Sequence, residues 1–315
     1  MGEQAAGGRS QRVPEVIPGP DLDQPARPFA GALYLPLALL FSLLWASAFV
    51  AVKVGLRSSP PLFLMGFRFL LAGVALLLFA RLRGRPLPAS RRDWGRLAIL
   101  GLLNNAVYLG LSAVALRHLS AGMGAILAST NPLLLAAAAP ALLGERLGAR
   151  KALGLALAFG SVVAIMSSRT ARGDSPGAMA LLLLANAVMV AGTILFKRWA
   201  PRGDLPTING VQLLTASAAL LVPSLLGEPV AAVRWDVSFL LVLAYLGGAV
   251  SCGAMLIWFF LLRSGDAGKA SAFFFLNPVF GLFLGALLLD ERVRALDLLG
   301  TAGVATGIWL VQRAR

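Results

Sequence analysis

A run of apolar blocks, most near 20 residues long, fills the chain from residue 33 to its end. A helix needs roughly 20 apolar residues to cross a hydrocarbon core of about 30 Å, so blocks of this length can span a bilayer. The candidate spans are 33–52, 62–80, 94–116, 121–142, 152–166, 176–196, 207–226, 237–262, 267–289 and 296–311. The gaps are mostly short and hold no soluble domain. Composition agrees, with 58% of residues hydrophobic and 13% charged; a soluble domain has about 45–50% and about 25%. The chain reads as an all-α integral membrane protein with ten transmembrane helices.

Residues 1–32 break the pattern. They are rich in Gly, Pro and charged residues and read as a disordered cytoplasmic tail. No apolar core of a cleavable signal precedes a small-residue cleavage site there. The net charge is +14, from 28 Lys and Arg against 14 Asp and Glu. In a soluble protein such a balance would suggest nucleic acid. Here the basic residues sit between apolar blocks, where they act as topogenic charge facing an anionic leaflet, and no nucleic-acid partner is expected. With the N-terminus in the cytoplasm, 19 basic residues fall on the cytoplasmic side and 8 on the other, Arg68 lying inside a span. Both termini are therefore assigned to the cytoplasm. The abundance of Gly, Ala and Arg fits a bacterial inner membrane.

One cysteine, Cys252, and one histidine, His118, are present. They rule out an internal disulfide and argue against a Cys/His metal site. No metal or cofactor is expected. Cys252 reads as a small packing residue and His118 as a solvated loop residue.

The chain repeats itself. Asn131-Pro132 is followed by Glu145-Arg146, and Asn277-Pro278 by Glu291-Arg292, at the same spacing and 146 residues apart. At that offset Ala121-Gly122 matches Ala267-Gly268, and Leu153-Gly154 matches Leu299-Gly300. Lys53 matches Lys197 at an offset of 144. Several collinear matches point to duplication, with a first repeat over 33–167, a linker over 168–175 and a second repeat over 176–315. Each copy holds five spans, so the copies lie in opposite orientations. Inverted repeats are a common architecture of secondary transporters, with the substrate site between the halves near the midplane. The run Gly265-Asp-Ala-Gly-Lys269 lacks P-loop spacing, so ATP hydrolysis is not expected.

At this point the chain resembles the drug/metabolite transporter superfamily, and within it the EamA-like family. The residues that carry the resemblance are Trp45-Ala-Ser-Ala-Phe49 with Lys53, then Arg68-Phe69, and the two stretches from Asn-Pro to Gly144-Glu145-Arg and Asp290-Glu291-Arg. It covers about residues 35–312. The resemblance implies ten helices in two inverted five-helix halves around a central cavity. It also implies export of amino acids or other metabolites; nucleotide-sugar and triose-phosphate exchangers belong to the wider superfamily. The second half departs from the first, with Met189 at the place of Trp45 and Gln212 at that of Arg68.

Arg68 is the one charge well inside a candidate span. A buried ionisable group in a membrane is costly and marks a functional site by default. Its guanidinium could hold a substrate carboxylate through two hydrogen bonds, or it could serve a structural bond. Trp45, Ser47, Asn104, Tyr108, Asn131, Asn186, Gln212, Trp258 and Asn277 complete the candidate cavity set, weighed against ordinary helix packing. Lys53 and Glu291 end spans on the outer side, and Lys197 and Glu145 on the inner side. Each pair is expected to latch the two halves as a gate, the alternative being ordinary helix-end charge. Pro132 and Pro278 are expected to kink their helices and serve as hinges. Gly281-x-x-x-Gly285 and Gly303-x-x-x-Gly307 would suit a homodimer or internal packing equally.

No acid lies in the middle of a span, which favours exchange or facilitated diffusion over proton coupling. The expected partners are a small-molecule substrate and the lipid bilayer. The reading is a secondary transporter exporting small organic metabolites, with amino acids (aromatic ones included) as the leading class, by alternating access. A nucleotide-sugar or sugar-phosphate exchanger would want more cations at depth, and a multidrug exporter a buried carboxylate. A membrane-embedded enzyme lacks a nucleophile–base set, and short loops leave little surface for a scaffold.

Overall fold

The computed structural model describes residues 33–131, 133–134, 137, 148–170, 173–199, 201, 203–264 and 276–313, without the side chains of 170, 197, 259–260, 262–264 and 312. Pro132 and Glu145, the side chain of Lys197 and the tail expected over 1–32 lie outside the described residues. No strand occurs among those described, as a lipid-facing chain requires when each helix must satisfy its own backbone groups.

The helices are α1 (Tyr34–Gly55), α2 (Pro61–Leu82), α3 (Arg91–Gly101, continuing through Tyr108–Leu116), α4 (Ala121–Ala128) and α5 (Ala149–Thr170). They continue with α6 (Pro176–Trp199), α7 (Leu205–Gly227), α8 (Val237–Ala244, continuing through Met255–Ser264), α9 (Leu276–Leu289) and α10 (Ala295–Arg313). Seven of them, α1 to α3 and α5 to α8, are long and apolar enough to cross a membrane, while α9 and α10 are shorter apolar helices. The expected spans 121–142 and 267–289 run partly outside the described residues. The span read as 152–166 is longer than its hydropathy suggested, because α5 carries Arg150, Lys151 and Arg169 within its 22 residues.

Two helices change pitch midway. In α3 the residues Leu102–Val107 are wound as a π-helix, and in α8 so are Tyr245–Ala254. The repeat offset of 146 carries 102–107 onto 248–253, inside the second π segment. A π turn widens the helix and redirects side chains, and such turns concentrate at functional sites. In α4 the regular helix ends at Ala128. Thr130 N–H donates to Leu127 O at 3.0 Å, a tightened turn just ahead of Asn131-Pro132.

Helix starts follow ordinary capping chemistry. Ser90 accepts from Asp93 N–H at 3.1 Å, and Asp236 from Phe239 N–H at 2.8 Å, each satisfying an end donor. Asp236 also accepts from the Ser58 hydroxyl, and these bonds hold its carboxyl below the usual carboxylate range. The start of α2 is capped from afar: Glu228 accepts from Leu62 N–H at 3.1 Å and Phe63 N–H at 3.0 Å.

The most extensive helix pairings are α2 with α7 and α5 with α10, and α4 packs on α9. These are the pairs that the repeat makes equivalent. Small residues bring α5 and α10 together: a Cβ on Gly154 would sit 2.7 Å from Gly307 O, and one on Gly307 2.5 Å from Gly154 O. Gly303 meets Ser161 of α5, and Gly281 meets Ala125 of α4. Both small-residue motifs are thus used inside the chain, and they are not spare dimer surfaces.

Candidate functional site

Arg68 is 4% exposed on α2, between α1, α3 and α8. Its Nε donates to Ser251 Oγ at 3.0 Å, on the π segment of α8, and Nη1 approaches Met65 Sδ at 3.8 Å. Among the described residues no carboxylate lies within ion-pair distance of it. Ser251 is held in turn, as Asn209 Nδ2 donates to Ser251 O at 3.3 Å. A cavity of about 40 Å³ opens beside Arg68, lined also by Trp45, Phe49, Tyr108, Ser112 and Val250. It has room for about one water, whose share of liquid volume is about 30 Å³. A larger occupant enters only after the helices move apart.

Of the ten cavity candidates, Arg68, Trp45 and Tyr108 line this space. The other seven do not line this space. Ser47 shares a hydrogen bond with the Tyr245 hydroxyl at 2.5 Å, tying α1 to α8. Trp258 stacks on Phe41 at 5.2 Å. Asn186 is fully buried and donates to Leu127 O at 2.6 Å and Thr130 Oγ1 at 3.2 Å, supporting the broken end of α4. Asn131 Nδ2 faces Asn186 Oδ1 at 3.4 Å and Met189 Sδ at 3.2 Å. Asn104 sits in the π segment of α3 against Gly192 of α6. Gln212 is buried on α7, where its backbone packs against Gly101 of α3. Asn277 is buried on α9, and Pro278 lies in the described part of the same helix.

Lys53 and Glu291, the expected outer latch pair, each hydrogen-bond to backbone atoms in this structure. Lys53 Nζ donates to Leu116 O at 3.0 Å, inside the first half. Glu291 accepts from Ala121 N–H at 2.5 Å and Gly122 N–H at 3.0 Å. Its carboxylate caps α4, where the helix dipole favours negative charge. Gly285 gives it room, since a Cβ there would sit 2.6 Å from Glu291 Oε2. Glu291 therefore does join the halves, but through backbone amides.

Both residues line a second cavity of about 680 Å³ at the Lys53 end of the bundle. The Lys53–Leu116 bond lies between the two cavities, because Lys53 lines the larger and Leu116 the smaller. A buried pair anchors the larger wall. Arg169 Nε donates to Asp297 Oδ1 at 3.0 Å, with side chains 5% and 0% exposed. Arg169 Nη1 donates to Ser120 Oγ at 3.2 Å, and Asp297 also accepts from Arg294 N–H at 2.9 Å. Asp174 accepts from Ser120 N–H at 2.6 Å and from its hydroxyl at 3.0 Å. Sequence reasoning missed this network. Arg169 and Asp297 read as span-end charges, and only the α5–α10 contact buries them together.

A bundle of apolar helices with a buried guanidinium beside an internal cavity is an arrangement suited to a membrane transport protein. The chain belongs to the EamA-like transporter family, whose sequence profile matches residues 32–167 and again 177–313. A WAT1-related chloroplastic protein of Arabidopsis thaliana is 32% identical over 281 residues, 85% of this chain and 66% of that protein's length. An inner membrane transporter of Escherichia coli without assigned substrate is 29% identical over 88% of this chain and 90% of its own. A probable amino-acid metabolite efflux pump of Escherichia coli is 28% identical over 87% of this chain and 93% of its own. A solved crystal structure shares the fold, with a TM-score of 0.64 over 88% of this chain and 96% of that chain at 18% identity.

Proposed function

We propose that the protein is a secondary exporter of small organic metabolites, with amino acids as the leading class, working by alternating access. The observation that carries this reading is Arg68, a buried guanidinium at a cavity with no carboxylate beside it among the described residues. A charge left uncompensated in an apolar interior is costly, and a substrate carboxylate arriving at Nη1 and Nη2 would offset that cost. Trp45 and Tyr108 supply apolar walls for a side chain. The relative named as an amino-acid metabolite efflux pump supports the class.

The same reading takes ten spans in two inverted halves, with both termini in the cytoplasm of a bacterial inner membrane. The double match of the family profile and the pairing of α2 with α7 and α5 with α10 support the repeat. Lys53 and Glu291 then face the outside, and opening there breaks the Glu291 cap on α4 and the Lys53 bond to Leu116. Asn131-Pro132 and Asn277-Pro278 act as hinges.

The test is counterflow in proteoliposomes loaded with unlabelled amino acid, measuring uptake of the labelled form. Wild-type protein accumulates label without an imposed proton gradient. Arg68→Gln loses accumulation while keeping the Ser251 neighbour and the elution profile. Wild-type rates in Arg68→Gln, or no accumulation of any amino acid in sealed vesicles, would overturn the proposal.

A further inference from the structure

The cavity at the Lys53 end has a chemistry of its own. Its walls carry Lys53, Arg117, Arg169, Arg292 and Arg294 against the carboxylates of Glu291 and Asp174. Both carboxylates are committed to donors at the start of α4: Glu291 to Ala121 and Gly122, Asp174 to Ser120. Asp297 offsets Arg169 from behind the wall. Leaving Arg292 aside, Lys53, Arg117, Arg169 and Arg294 meet these three acids among the described residues, and the excess is positive. Burial adds a sharper sign. Among the described residues Arg169 Nη2 has no hydrogen-bond partner, although the side chain is 95% buried and the residue lines this cavity. Arginine presents its donors in a planar fork, and here Nε and Nη1 are held by Asp297 and Ser120 while Nη2 is left over. A buried donor left unmade costs about 1–3 kcal/mol, more for a charged group.

The volume of about 680 Å³ falls among small-molecule sites, which run from about 300 to 1,000 Å³. We propose that this vestibule is an anion-binding site, taking a small solute with a carboxylate or phosphate group, with Arg169 Nη2 as its anchoring donor. Lys53, Arg117 and Arg294 supply the attracting field. The site is separate from Arg68, since the Lys53–Leu116 bond lies between the cavities. It stands whether or not the central site carries amino acids, because it is read by binding alone.

The experiment is calorimetric titration of delipidated, detergent-purified protein with inorganic phosphate and with succinate, choline chloride serving as control. A separate arm titrates short-chain phosphatidylglycerol, which offers the same phosphate chemistry from a lipid. Phosphate and succinate are expected to compete for one site. Their affinity should fall as salt rises above about 0.1 M, where the Debye length is about 10 Å. Arg169→Lys retains a charge beside Asp297 but removes the spare N–H, and should weaken both anions about tenfold or more. The exposed pair Arg117→Gln/Arg294→Gln should weaken them several-fold. Three results would overturn the site: neither solute binds; both variants bind with wild-type affinity; or only phosphatidylglycerol registers.

Discussion

Replacing Asp297 by Ala tests how the two halves are held at their α5–α10 contact. The change removes the Arg169 Nε bond of 3.0 Å and the Arg294 N–H bond of 2.9 Å. It leaves Arg169, 5% exposed, with Ser120 Oγ as its remaining hydrogen-bond acceptor. Removing one partner of a buried ion pair costs about 3–5 kcal/mol, because the other charge stays buried and unpaired. For a chain of this length that corresponds to a fall in Tm of roughly 5–8 °C. The assay is thermal unfolding in detergent, followed by near-ultraviolet circular dichroism. Arg169→Met should lose a similar amount. Asp297→Leu with Arg169→Met should recover most of it, since an apolar pair of similar volume often matches a buried ion pair. The two changes therefore couple strongly in a double-mutant cycle. A loss under about 1 kcal/mol for Asp297→Ala, the range of solvent-exposed pairs, would refute the argument, as would a double variant as unstable as the sum of the singles.

Three further outcomes follow from the geometry. Gly307→Val should push α10 from α5, because even its Cβ would lie 2.5 Å from Gly154 O; a folded, wild-type melting profile would show that the helices do not approach as described. Glu291→Gln removes the charge that caps α4 and should cost about 1–2 kcal/mol in the same assay, whereas no change would place the cap outside the stability of the fold. The Asp236 carboxyl is held below its usual range by Phe239 N–H and Ser58. Its stabilisation is complete above the ordinary carboxylate range and fades as pH falls through its lowered folded value. Asp236→Asn should therefore flatten that acid limb of the Tm profile, and superimposable profiles would exclude the mechanism.

Hydropathy located the helices because span length and the absence of charge are local properties. It found α5 but drew it too short, because Arg150, Lys151 and Arg169 sit within the helix, and a residue count cannot tell a loop charge from one buried by a neighbour. Arg68 stood out in the sequence because a lone charge in an apolar block has no local explanation. The amides are less distinctive. Asn186 and Asn131 look alike in sequence to cavity-lining groups, yet they support the break in α4. Lys53 and Glu291 line one cavity, and the partners of their hydrogen bonds are backbone atoms, which leave no trace in residue identity.

By itself the sequence determined a helical membrane protein with an internal repeat and one intramembrane guanidinium, because apolar length, collinear matches and a stray charge are all read along the chain. Only the tertiary structure decided that α3 and α8 pass through π segments, that Arg169 meets Asp297 across 128 positions, and that a cation-lined vestibule lies beside a nearly filled centre. Those features depend on which helix faces meet, and a face is defined by the neighbour that covers it.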